Sequence, residues 1–92
     1  MIKGKDNPAE KRREKQGFSN CLILFNDDIH SFDFVIETLI EVCGHEQMQA
    51  EQCALIAHYR GKCPVKSGDL SELTPKHVEM TKRGLTVSIE PA

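Results

Sequence analysis

Asn26, Asp27 and Asp28 stand in a row directly behind the apolar run Cys21-Leu22-Ile23-Leu24-Phe25. An amide and two carboxylates at the end of a strand are hydrogen-bond acceptors grouped without a spacer. Such a group caps a following helix, or it holds a cation or an amine at the strand's mouth. Further along, Ala57-His58-Tyr59-Arg60-Gly61-Lys62 closes a helical pattern with a histidine. These residues also have ordinary structural uses. Asp27 and Asp28 serve as helix caps or as solvated side chains, and a histidine in a last helical turn is favoured by the negative end of the dipole.

The other reactive side chains are Cys21, Cys43, Cys53 and Cys63. They alternate with leucine, isoleucine and valine, which suits free thiols acting as small hydrophobes. Zinc held by some of them with His45 or His58 is the alternative, but no CxxC spacing is present. A cysteine nucleophile with His58 as base is the enzymatic alternative. Neither Cys43 nor Cys53 has a glycine-rich or strongly polar context, and no third orienting group is evident. The reading is therefore not an enzyme, with no metal and no cofactor.

The elements that must position these groups follow from period and punctuation. Phe18 to Phe25 reads as a strand covered on at least one face. Ser31 is a good N-cap, and Phe32, Val35, Ile36, Leu39, Ile40 and Cys43 recur at helical spacing up to the Gly44 stop. A second helix is expected from about Gln47 to Tyr59, with Ala50, Cys53, Ala54, Ala57 and His58 on one face and Leu55 and Ile56 beside it, ended by Gly61. Lys62 to Ser67 is compatible with a strand, but Pro64 makes it an edge or a bulge. Asp69-Leu70-Ser71-Glu72 reads as a capping box, whereas Thr74 with Pro75 behind it offers a cleaner start; the expectation is a first turn at 69–73 and a regular helix at 75–83, separate or fused with a kink, stopped by Gly84. Leu85, Val87 and Ile89 alternate with Thr86, Ser88 and Glu90, a half-buried strand.

The order β-α-α-β-α-β predicts an α+β fold, a small three-stranded antiparallel sheet with three helices packed on it. The chain has 92 residues, one domain's length. Residues 1–17 carry charge of both signs and almost no apolar side chain, so they are expected to be a disordered extension ahead of a domain at 18–92. A net charge of −2 argues against nucleic acid or an anionic membrane as partner of the whole domain. No apolar run approaches the roughly 20 residues that span a bilayer, and the charged opening does not read as a signal peptide.

Asn26-Asp27-Asp28, Phe34-Val35 and Ala57-His58-Tyr59-Arg60-Gly61-Lys62 together resemble the ClpS family, adaptors of Clp-type ATP-dependent proteases. The resemblance runs over roughly residues 20–90, including the element order and the closing Leu85 to Glu90 segment. It implies a cytoplasmic, bacterial adaptor that binds the destabilising N-terminal residue of a substrate protein, an N-degron, and delivers that protein to the N-domain of an unfoldase such as ClpA or ClpC. The alternative is a module of the same fold that binds the unfoldase without recognising N-degrons. In the family's pattern Asn26, Asp27 and His58 match the residues that hydrogen-bond the substrate's α-amino group, and Asp28 completes the motif. Val35 and Leu85 match pocket-wall positions. Phe32 stands where many members have a gating methionine, Ala54 and Ala57 where many have larger apolar residues, and His30 where a small hydroxyl residue is usual. The polar N-terminal extension matches a segment that the unfoldase engages. A ribosomal-stalk-like protein of related fold is disfavoured by the Asn-Asp-Asp and histidine signature.

The chemistry agrees with that implication. A peptide N-terminus is an ammonium with an unperturbed pKa of about 7.7–8.0. One carboxylate and two neutral acceptors match its three donors, and charge-assisted bonds are roughly twice as strong as neutral ones. An apolar wall beside them takes the first side chain, and burying a leucine or phenylalanine contributes about 1.5–3 kcal/mol.

Overall fold

A computed structural model describes residues 19–92. The expected extension at 1–17, and Phe18 as the first strand residue, lie outside the described residues. The apolar run becomes strand β1 (Asn20–Phe25), with helices α1 (Phe32–Cys43) and α2 (Gln47–Arg60), strand β2 (Lys62–Gly68), helix α3 (Leu70–Lys82) and strand β3 (Val87–Pro91) after it. The sheet order is β2-β1-β3 and both pairings are antiparallel. Among the described residues, the three-stranded α+β arrangement expected from the pattern is therefore the one formed.

β1 is central because it is the strand whose side chains find cover. Leu22 and Leu24 lie on one face by the two-residue period, almost fully buried in a core with Leu39 of α1, Ala50 and Ala57 of α2, and Leu73 and Met80 of α3. β2 is an edge strand and carries a bulge as well. Leu22 pairs with Lys66 and Ile23 with Pro64, so Val65 has no opposite number. Pro64 is thus tolerated at the edge, where its missing N–H breaks no ladder. The carbonyl of Val65 is held instead by buried His45, whose Nε2–H donates to it across 2.6 Å. That bond ties His45 to the bulge of β2. Its Nδ1 is buried with no partner among the described residues.

Each helix has a local reason for its limits. Ser31 Oγ accepts the Phe34 N–H at 3.1 Å, and Gly44 (φ 73°) ends α1. In α2, Ala50, Ala54 and Ala57 face inward, and their small side chains allow close approach to the core. Leu55 and Ile56 point outward and are partly exposed. The start of α3 differs from the cleaner of the two starts read from sequence. Asp69 is the N-cap, accepting the Glu72 N–H at 3.1 Å, and one helix runs through Pro75 to Lys82. Thr74 lies inside that helix, its hydroxyl donating to the Leu70 carbonyl at 2.7 Å. Pro75 removes a single helical bond, and Ser71, whose carbonyl loses its partner, is solvent-exposed. The last strand begins at Val87, two residues later than the alternation suggests, leaving Leu85 buried just ahead of it.

The four cysteines are free. Burial pushes the Cys43 thiol up to about 11. Burial, with Cys53 beside it, pushes Cys63 up to about 12. Both are therefore uncharged near neutrality and poor nucleophiles. Among the described residues no helix is long and apolar enough to cross a membrane.

Candidate functional site

The ladder does not stop at Phe25. Phe25 N–H donates to the Thr86 carbonyl and Asn26 N–H to the Gly61 carbonyl, each across 2.9 Å. These bonds fasten the Asn26-Asp27-Asp28 segment between the approach to β3 and the end of α2. Gly61 adopts φ 92° and returns its N–H to the Ala57 carbonyl, so α2 closes there and the chain turns into β2. His58, within that last turn, is carried to the mouth of β1.

Asp27 organises the turn that follows it. Its Oδ1 accepts the N–H groups of Ile29 (2.9 Å) and His30 (2.8 Å), and its Oδ2 accepts the His30 Nδ1–H at 3.1 Å. Burial alone raises the carboxyl, but the His30 and Ile29 amides and the His30 ring outweigh it and hold Asp27 below the ordinary carboxylate range. It is a carboxylate at neutral pH. A carboxylate has about four lone-pair sites, so these three bonds leave it able to accept one more.

His30 is fixed from several sides. Its ring stacks on Phe34, with centroids 4.8 Å apart and planes at 21°. Its edge lies against Gly84, where a Cβ would stand 3.0 Å from Nε2. Gly84 has φ 89°, so the lack of a side chain there serves both the backbone and the ring.

Between these groups lies a recess with about 370 Å³ of empty space, open solvent at its mouth included. Leu24, Phe25, Val35, Ala54, Ala57 and Leu85 supply apolar walls, and Asn26, Asp27, His30, Phe32 and His58 complete the lining. A shallower vestibule outside it is lined by Asp27, Asp28, His30, Phe32 and His58. Phe32 is 43% exposed and meets the His58 ring edge-on at 5.5 Å; His58 meets Tyr59 in the same way at 5.0 Å.

Every residue expected to bind a substrate's N-terminal residue lies here, with Asp28 in the vestibule rather than the recess. Sequence reasoning missed Leu24 and Phe25 as wall residues. The signal was available, because the apolar run leads straight into Asn26. It also missed the clamp on His30, which depends on Gly84 from a distant loop. Among the described residues no group of three or more histidine, cysteine or acidic side chains stands together as a metal site would require.

The fold has known counterparts. The family model for the ATP-dependent Clp protease adaptor protein ClpS matches residues 15–88. ATP-dependent Clp protease adapter proteins ClpS from Sodalis glossinidius and Erwinia tasmaniensis are 33% and 34% identical over 64 residues. That match covers 67% of this chain and 60% of each relative's length. The structure of Agrobacterium tumefaciens ClpS2 bound to L-phenylalaninamide is similar with a TM-score of 0.77 and 23% identity, covering 84% of this chain and 100% of that one. The chain belongs to the ClpS family of Clp protease adaptors.

Proposed function

We propose that the recess binds the free N-terminal residue of substrate proteins, with bulky apolar or aromatic first residues preferred. The adaptor then presents those proteins to the N-domain of a Clp-type AAA+ unfoldase such as ClpA or ClpC. One observation carries the reading: an ionised Asp27, with Asn26 and His58 beside it, stands at a recess whose other walls are mainly apolar side chains. In this reading Asp27, Asn26 and His58 take the three ammonium donors, and Asp28 adds negative charge in the vestibule. Val35, Ala54, Ala57 and Leu85 receive the side chain, and Phe32 and His30 border it. The Agrobacterium ClpS2 structure supports the reading, since L-phenylalaninamide offers a free α-amino group and a flat apolar side chain together.

The test is a titration of matched peptides that begin with leucine or phenylalanine, free or acetylated at the N-terminus. Acetylation removes the charge and donors and adds bulk at the polar rim, so binding is expected to be nearly lost. Equal affinity of the two forms would show the polar cluster to be a turn cap alone. Peptides beginning with lysine, aspartate or glycine should bind more weakly than those beginning with leucine. One observation favours a second reading, an unfoldase-binding module that takes no N-degron. Asp27 already serves three donors of its own turn, and the His30 ring occupies part of the wall. Unfoldase binding with no peptide binding of any kind would select it.

A further inference from the structure

We propose that His30 is the specificity-determining residue of the recess, its immobilised ring selecting planar first side chains over saturated ones of equal size. The inference rests on the N-terminal-residue reading above and adds which side-chain shape is chosen and by what. A histidine at a pocket wall is ordinarily free to swing aside. This one is held by its Nδ1–H bond to Asp27, by the stack on Phe34 and by contact with Gly84. Phe34 stacks on the ring yet takes no part in the recess lining, to which His30 belongs. The wall is thus a fixed aromatic surface backed by a second aromatic ring. Phe32 borders the same recess, while Ala54 is too small to grip a side chain from below. A flat ring entering there gains offset or edge contacts with His30, and a puckered ring of the same carbon skeleton does not.

The experiment uses the full chain and two peptides identical except for their first residue, phenylalanine or cyclohexylalanine. The quantity read is the ratio of their dissociation constants. In His30→Ser the preference for phenylalanine is expected to fall by about 2- to 12-fold, the range of an aromatic pair contact. Loss of the Asp27 bond weakens both peptides alike and cancels in the ratio. In His30→Phe the preference should persist while both affinities drop, because the plane remains and the Asp27 bond is gone. On wild type, the His30 Cε1 proton should shift under the ring current of the phenylalanine peptide and much less with the cyclohexylalanine peptide. That measurement decides the matter even where a variant fails to fold. An unchanged ratio in His30→Ser, a ratio lost in His30→Phe, or equal proton shifts with both peptides overturns the proposal. If neither peptide nor a leucine-initiated one binds wild type, the N-terminal-residue reading itself fails, and this proposal falls with it.

Discussion

Replacing Asp27 by alanine deletes three hydrogen bonds inside the turn as well as the charge at the recess, and the two effects separate by measurement. Asp27→Ala should weaken a leucine- or phenylalanine-initiated peptide by about 2–5 kcal/mol, the cost of removing a charge partner from a hydrogen-bonded pair. His58→Ala should cost about 1–3 kcal/mol, since a neutral acceptor is lost from a ring that is itself exposed. His58→Ala leaves the turn untouched, so its thermal midpoint should move less than that of Asp27→Ala. The Asp27 carboxyl is held below its ordinary value in the fold, so folding gains from its ionised form. That gain is fully present above the unfolded value of about 3.9 and disappears as pH falls through the lower folded value. Thermal unfolding of wild type and Asp27→Asn should therefore differ near neutral pH and converge in acid below about 4. On the alkaline side, peptide affinity should decline above about pH 8, when the free amine of the peptide loses its proton.

The caps place the site, and the start of α3 shows how a helix chooses between two candidate starts. Asp69→Ala removes the acceptor for the Glu72 N–H and should destabilise the domain by about 1 kcal/mol. Thr74→Ala should cost only a few tenths, because Thr74 is a helix-interior residue whose hydroxyl makes a local bond to Leu70. Urea titration of both variants checks this, and a larger loss from Thr74→Ala would mean that the helix begins at Pro75. Gly61 matters more to function. Its φ of 92° is costly for any other residue, and its carbonyl holds the Asn26 N–H. Gly61→Ala should cost about 1–2 kcal/mol of stability. It should also reduce peptide binding, since the joint that brings α2 to the end of β1 is strained.

At the scale of the whole molecule, the helices share one small core with the sheet, so stability and binding are linked. Leu39 and Leu73 are fully buried, and either one changed to alanine should cost about 2–5 kcal/mol by chemical denaturation. Native domains are stable by only about 5–15 kcal/mol, so such a variant would spend a measurable fraction of its time unfolded. Every residue lining the recess lies between Leu24 and Leu85. Deleting residues 1–17 should therefore leave peptide affinity nearly unchanged. In the proposed adaptor role it should impair delivery to the unfoldase, which degradation of a leucine-initiated reporter by the assembled protease would measure. Loss of folding on deletion would instead place that segment within the domain.

The sequence by itself determined the element order, most element limits and the residues of the polar cluster. Those are local properties: two-residue alternation in β1, helical spacing in α1, an N-cap at Ser31, glycine stops at Gly44 and Gly61. The bulge in β2 was foreshadowed by Pro64 for the same reason. The start of α3 was ambiguous because two capping patterns overlapped, and the longer helix prevailed by burying Leu73 along with Met80. What only the tertiary structure decided is what depends on partners distant in the chain. Gly61 must bond Asn26 before His58 and Asp27 line one cavity. His45 has its place because a bulge leaves the Val65 carbonyl to it. The His30 ring has room where it lies because Gly84, on the far side of α3, presents no side chain to it. Spacing along a chain reports which residues share a face of one element. It carries no information about which loop closes against that face, because that follows from the packing of all the elements at once.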